Sequence, residues 1–252
     1  MFSHDCLNQM NELAKNRKKT ACYAGLLYLL MAITAAFSLL QMPSAVVVKN
    51  NAAATLANML AKESLVRMII FSHLTSHCLF LLLAMTFYRL FKDVNEHWSR
   101  LLVLFVVAQV PLVFIGEAFN FVALMIAKGE VLQTLQGSEN LAQKADAVVL
   151  LLKLRSYSLF TAEVFWGLWL LPLGLLTFRS GFMPRVLGIL LLAGGISYLF
   201  QQSTSILIAN TDTAIVKFLG NVYAGAQSIS EISMILWLLI VGTTDKTSTS
   251  HE

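Results

Sequence analysis

Six long apolar runs, separated by polar segments, make up most of this 252-residue chain. They cover residues 20–41, 66–91, 101–127, 155–178, 186–208 and 220–241. Each run is close to the roughly 20 residues that an α-helix needs to cross a hydrocarbon core. Because the bilayer offers backbone polar groups no other partner, such runs are expected to be helical. The pattern predicts an all-α fold, a polytopic transmembrane bundle of about six helices that forms a single domain over residues 1–252.

The polar connections between the runs differ in length. The short connection at residues 178–185 contains Gly181 for a turn and Pro184 for the start of the next helix. Two longer connections, at residues 42–65 and 128–154, are predicted to lie on the outer side, each with a short helix on the membrane surface. The polar tail at residues 243–252 is too small to fold alone. Function is therefore expected in the bundle or its loops.

Basic residues indicate the orientation of the bundle. Ten of the 18 Lys and Arg residues fall on the side shared by both termini, and eight fall on the other side. The NRKK cluster at residues 16–19 directly precedes the first apolar run, whose flanking charges usually dominate insertion. We therefore predict that both termini are cytoplasmic.

The composition agrees with a lipid environment and excludes some partners. Hydrophobic residues make up 57% of the chain and charged residues only 13%, against about 25% charged residues in soluble domains. The net charge of +4 forms no continuous basic stripe, so the expected partner is the lipid bilayer and not a nucleic acid. Cys6, Cys22 and Cys78 lack CxxC spacing, which indicates neither a disulfide framework nor a thiolate metal site.

Three stretches resemble a known family of bacterial integral membrane proteins, domain of unknown function 4386. Residues 16–30, NRKKTACYAGLLYLL, resemble its N-terminal signature, and residues 167–199 resemble its helix–loop–helix segment around an FRSGFxPR-like turn. The final run, with Glu231 followed by LWLLIVG, is similar to the last segment of the family. The resemblance covers about residues 16–242 and implies a six-helix, multi-pass protein of the bacterial inner membrane. It implies no activity.

Ionisable side chains inside the apolar runs are the candidate functional groups. A charge at mid-membrane costs at least about 2.5–3.5 kcal/mol on insertion scales, so such groups tend to face the protein interior and to have a partner. The second run carries two histidines four residues apart, hence on one helix face. Most of the polar groups fall in the outer halves of their runs. The sequence predicts an outward-facing polar cavity lined by His73, His77, Glu117, Asn120, Glu163, Gln201, Gln202 and Glu231.

The histidine pair has two interpretations. Two imidazoles with carboxylates from other helices are typical ligands of zinc or non-haem iron, and the predicted metal site consists of His73, His77, Glu117 and Glu231. The segment FSHLTSHCLF lacks the HExxH glutamate of zinc proteases. Histidines that hydrogen-bond Glu or Gln partners and specify helix packing give the same spacing.

Three functions follow from these candidates. We expect a membrane protein that binds or passes a small ligand or ion, and not an enzyme. The first alternative is a metal-dependent intramembrane enzyme with a glutamate as general base. The second is a non-catalytic membrane partner or lipid-binding protein. Lys153 and Arg155, at the outer end of the fourth run, would hold lipid headgroups or pair with Glu163, or, as we expect, extend to the interface as anchors.

Overall fold

The computed structural model describes residues 2–132, 140–208 and 213–242, with side chains from residue 15 onward. Within these ranges the chain forms seven α-helices, one short π-helix and no strand, which confirms the all-α prediction. The α-helices are α1 (Phe2–Gln41), α2 (Ala52–Ala61), α3 (Glu63–Phe91), α4 (Glu96–Lys128), α5 (Leu141–Arg179), α6 (Arg185–Leu207) and α7 (Ala214–Ile240). The π-helix, Met42–Val46, directly follows α1.

Six helices, all except α2, are long and apolar enough to span a membrane. This result confirms the predicted transmembrane bundle. Several helices begin earlier than the predicted apolar runs, because a helix continues into polar sequence until a residue breaks it. The orientation of the termini stays a prediction.

The connection between α1 and α3 contains the helix α2. Asn51 caps it, since its side chain accepts a hydrogen bond from the Ala54 backbone N–H at 2.9 Å. Thr55 accepts a hydrogen bond from the Val48 N–H at 2.9 Å, and Lys62 donates to the Ala45 carbonyl at 2.7 Å. These contacts fix the segment between the π-helix and α2.

The predicted surface helix within residues 128–154 is not a separate element. Residues 141–154 form the N-terminal part of α5, which continues unbroken to Arg179. The sequence LAQKADAVVLLLKLR at residues 141–155 contains neither Gly nor Pro, so nothing ends the helix before the apolar run. The predicted break before Arg155 is therefore absent.

The described chain forms two compact units, and the single domain over residues 1–252 stays a prediction. Unit 1 consists of Met1–Leu29, Phe80–Ala108 and Glu163–Glu252, and unit 2 of Leu30–Leu79 and Gln109–Ala162. Four helices, α1, α3, α4 and α5, contribute residues to both units, because each has at least 29 residues and its two halves contact different neighbours.

Unit 2 has an aliphatic core. Met42 from the π-helix, Met59 from α2, Ile69 from α3, Leu124 from α4 and Val148 from α5 are all buried in it. Inside a membrane such side chains are stabilised mainly by close packing, because lipid tails are as apolar as they are. The packing holds the loop before α2 close to the N-terminal part of α5.

Unit 1 combines an aromatic cluster with close helix contacts. Tyr28 lies edge-on to Trp169 at 5.8 Å between ring centroids and to Phe87 at 6.3 Å. Where α6 approaches α7, a Cβ built on Gly194 would clash with the side chain of Ser230. Glycine is therefore required for this spacing of the two helices.

Candidate functional site

The polar residues of unit 2 meet around the carboxylate of Glu117 in α4. His73 of α3 places Nδ1 2.7 Å from Glu117 Oε1, and Arg155 of α5 donates from Nε to the same oxygen at 3.0 Å. Asn120 Nδ2 donates to Glu117 Oε2 at 3.1 Å. Three helices are thus joined through one carboxylate, which is 1% exposed. We call His73, Glu117, Asn120 and Arg155 the carboxylate network.

The two histidines of α3 form different hydrogen bonds. Since a carboxylate accepts hydrogen bonds, His73 presents its Nδ1–H to Glu117, and its Nε2 is buried without a hydrogen-bond partner among the described residues. His77 places Nδ1 3.1 Å from the His73 carbonyl oxygen and 3.1 Å from Ser76 Oγ. The backbone carbonyl can only accept, so Nδ1 of His77 also carries the proton.

Arg155 is the residue whose position differs most from expectation. It is only 6% exposed and pairs with Glu117, so it is neither an interface anchor nor a partner of Glu163. Its Nη2 lies 3.0 Å from Glu117 Oε1, but without the alignment of a hydrogen bond. Nη2 therefore has no hydrogen-bond partner among the described residues and is buried, at a cost of about 1–3 kcal/mol.

A pocket of about 640 Å³ lies in unit 2, and Arg155 forms part of its wall. The pocket is bounded by the end of α1, the π-helix, residues 47–52 and one face of α5 from Asp146 to Ser156. Two further cations, Lys49 and Lys153, line it, and both are exposed. Its polar lining thus contains three cationic side chains and one carboxylate, that of Asp146.

The loop before α2 forms one edge of this pocket. Asn50 has a φ of 57°, in the left-handed region that asparagine tolerates better than most residues, and the chain then turns into α2. Asn50, Asn51 and Ala52 all line the pocket. Ala52 is the first residue of α2, so its backbone N–H has no acceptor within the helix.

Unit 1 holds a second set of polar side chains. Glu231 of α7 accepts hydrogen bonds from the hydroxyls of Tyr28 at 2.9 Å and Tyr198 at 3.0 Å. Both of its carboxylate oxygens are therefore bound by neutral donors. Tyrosine partners for Glu231 were not predicted, because a single tyrosine in an apolar run gives no sequence signal of its contact.

Two amide contacts complete this second set. Gln202 donates from Nε2 to Glu163 Oε2, which joins α6 to α5. Gln227 donates from Nε2 to Gln201 Oε1 at 2.7 Å, which joins α7 to α6. The glutamines predicted to line a cavity thus form hydrogen bonds between neighbouring helices.

The eight predicted site residues are divided equally between the two units. Unit 2 contains His73, His77, Glu117 and Asn120, and unit 1 contains Glu163, Gln201, Gln202 and Glu231. None of the eight lines the pocket described in unit 2. Three cations that were not among the eight, Lys49, Lys153 and Arg155, line that pocket instead. Lys153 and Arg155 were expected to be interface anchors, and only their three-dimensional neighbours distinguish them from such anchors.

The predicted metal ligands were His73, His77, Glu117 and Glu231. Across residues 2–132, 140–208 and 213–242, no three His, Cys, Asp or Glu side chains are grouped as ligands of a metal ion. Glu117 is held by hydrogen bonds from its histidine, asparagine and arginine neighbours, and Glu231 by those from its two tyrosines. The zinc or iron site stays a prediction.

Comparison with known proteins identifies the family of the chain. Residues 23–242 match a family described as a domain of unknown function, DUF4386. No curated protein and no solved structure matches the chain. The matched region includes all of the carboxylate network and the pocket in unit 2. The chain therefore belongs to the DUF4386 family, as its N-terminal and central motifs predicted.

Proposed function

We propose that this membrane protein binds a small anionic ligand in the pocket of unit 2. The observation that carries the proposal is the buried side chain of Arg155, which lines the pocket and whose Nη2 has no hydrogen-bond partner among the described residues. The balance of charges in the pocket favours an anion, since Lys49 and Lys153 add to the positive charge of Arg155 and only Asp146 is negative. Guanidinium and ammonium groups are the usual protein ligands of carboxylates and phosphates.

The carboxylate network supports the same function by holding the arginine in place. Glu117 Oε1 accepts hydrogen bonds from both Arg155 and His73. The position of the guanidinium is therefore held by residues of two other helices. A side chain that is already ordered loses less conformational entropy when a ligand binds. Arg155 is thus preorganised to receive an anion, whereas the exposed lysines supply charge that attracts it.

The predicted topology places this pocket on the outer side of the membrane. The pocket lies at the C-terminal end of α1, and the N-terminal end of α1 is predicted to be cytoplasmic. The expectation of an outward-facing cavity for a small ligand or ion is therefore kept, with Lys49, Lys153 and Arg155 in place of the residues predicted to line it. The function proposed is ligand binding, with no catalytic step.

Anion binding to the detergent-purified full chain tests the proposal. Inorganic phosphate, sulfate and succinate would be titrated by calorimetry into the wild type and into the variant Lys49→Gln/Lys153→Gln. For an ion of so few atoms we expect a dissociation constant of about 1 mM. Binding should weaken at least tenfold in the variant, because two of the three pocket cations are removed.

The control variant is Lys92→Gln/Lys144→Gln, which removes the same charge from positions that do not line the pocket. We expect it to bind the anion as the wild type does. No binding of any of the three anions, or equal weakening in both variants, would contradict the proposed function.

A further inference from the structure

The pocket of unit 2 has an apolar wall as well as a cationic edge. Leu39, Met42 and Pro43, from the end of α1 and the π-helix, form part of that wall, and Val149 and Leu152 of α5 extend it. An inorganic ion would leave these side chains without a contact. A volume of about 640 Å³ accommodates a charged group together with an apolar or uncharged remainder.

The apolar wall and the cations follow one another at the end of a membrane span. The candidate span of α1 ends at Val46, and Lys49 comes three residues later. Lysine side chains at such positions extend from the hydrocarbon to the headgroup region. In the predicted topology we therefore expect the pocket at the depth of the phosphate groups of membrane lipids.

The donors around the pocket suit a phosphate better than a carboxylate. Lys49 precedes α2, Lys153 and Arg155 belong to α5, and Ala52 begins α2, so positive groups approach from separate elements. A phosphate has several acceptor oxygens arranged as a tetrahedron and can use donors from several directions. The free N–H groups at the start of a helix are also a common phosphate ligand.

We propose that the pocket binds the phosphodiester headgroup of a membrane lipid, with the phosphate at Lys49, Lys153 and Arg155 and the acyl chains along Leu39 and Met42. Asp146, the one carboxylate of the lining, accepts hydrogen bonds from the uncharged hydroxyls of the headgroup. The buried guanidinium of Arg155, with its unsatisfied Nη2, separates this pocket from an ordinary row of interface lysines. This inference rests on the anion binding proposed above.

Native mass spectrometry of the full chain, released from detergent, tests the lipid inference. Phosphatidylglycerol is the probe, diacylglycerol with the same acyl chains tests the need for phosphate, and glycerol 3-phosphate tests the need for the acyl chains. We expect a phosphatidylglycerol adduct on the wild type and none with diacylglycerol. In Lys49→Gln/Lys153→Gln, affinity for phosphatidylglycerol should fall about thirtyfold, as for two lysines beside anionic lipid.

The control Lys92→Gln/Lys144→Gln should keep the adduct. An adduct of equal population in both variants would overturn the lipid inference, since the lipid would then bind elsewhere. In a different outcome, glycerol 3-phosphate binds to the wild type and not to Lys49→Gln/Lys153→Gln, while no phosphatidylglycerol adduct depends on the lysines. That result would overturn the lipid inference alone and leave anion binding intact. If neither glycerol 3-phosphate nor phosphatidylglycerol binding depends on these lysines, both the lipid inference and the proposed anion binding are contradicted.

Discussion

Substitution of Arg155 by glutamine tests whether the carboxylate network is an ion pair inside the protein. In Arg155→Gln the Glu117 side chain, 1% exposed, loses its cationic partner and keeps hydrogen bonds from His73 and Asn120. Breaking a buried ion pair by removing one partner costs about 3–5 kcal/mol. We expect a loss of this size in the free energy of unfolding.

Two further variants measure the interaction energy between Glu117 and Arg155. Glu117→Gln leaves the guanidinium of Arg155 buried without a counter-charge, so it should also be destabilised by about 3–5 kcal/mol. The double variant Glu117→Gln/Arg155→Gln contains no unpaired charge, and its two amides can hydrogen-bond each other. We therefore expect it to be more stable than the sum of the single losses, by a coupling of about 1–3 kcal/mol.

Reversible unfolding in mixed micelles, followed by circular dichroism, measures these free energies. The matched control is Arg100→Gln, which breaks a pair with Glu96 whose side chains are 69% and 54% exposed. Because solvent screens that pair, the control should unfold like the wild type. A loss below about 1 kcal/mol in Arg155→Gln, or strictly additive single losses, would refute the reasoning.

Three further substitutions probe packing and buried polar groups. Gly194→Ala should destabilise the chain by about 1–3 kcal/mol, because the new methyl group meets α7, whereas Gly225→Ala, which meets nothing within 4 Å, should stabilise it; equal denaturation midpoints would contradict this. Gln109→Leu should leave stability unchanged or raise it, since both side-chain amide atoms are buried and neither has a hydrogen-bond partner among the described residues. A loss above about 1 kcal/mol would contradict this. Tyr28→Phe should cost about 1–3 kcal/mol by removing a donor to Glu231, measured by the same unfolding assay; an unchanged midpoint would show that the contact is weak.

The membrane class and the family could be read from the sequence, whereas the partners of the buried charges could not. A membrane span is recognised by comparing the length of an apolar run with the nearly fixed thickness of the bilayer. This comparison requires neither the helical periodicity nor the contacts of the run. The pairing of Glu117 with Arg155 depends on the rotation of two helices about their axes, which sequence spacing does not determine. Tyr28 and Glu231 are 203 residues apart, so no local pattern connects them.

The error over Arg155 has a specific cause. The predicted apolar run of the fourth span begins at that residue, which makes an arginine there look like an anchor at the interface. In the structure α5 begins 14 residues earlier, at Leu141, and Arg155 lies inside a continuous helix. Helix ends are set by caps and breakers, not by where hydropathy rises, and a helix boundary taken from hydropathy misplaces the charges near it.

Arg155 belongs both to the carboxylate network and to the wall of the pocket, so the two cannot change independently. A ligand that accepts hydrogen bonds from this guanidinium competes with Glu117 for the same side chain. Through Glu117, the wall of the pocket is also connected to His73 of α3. Thermodynamic reciprocity then requires that any effect of pocket occupancy on the pairing of Arg155 with Glu117 be matched by an equal effect of that pairing on occupancy.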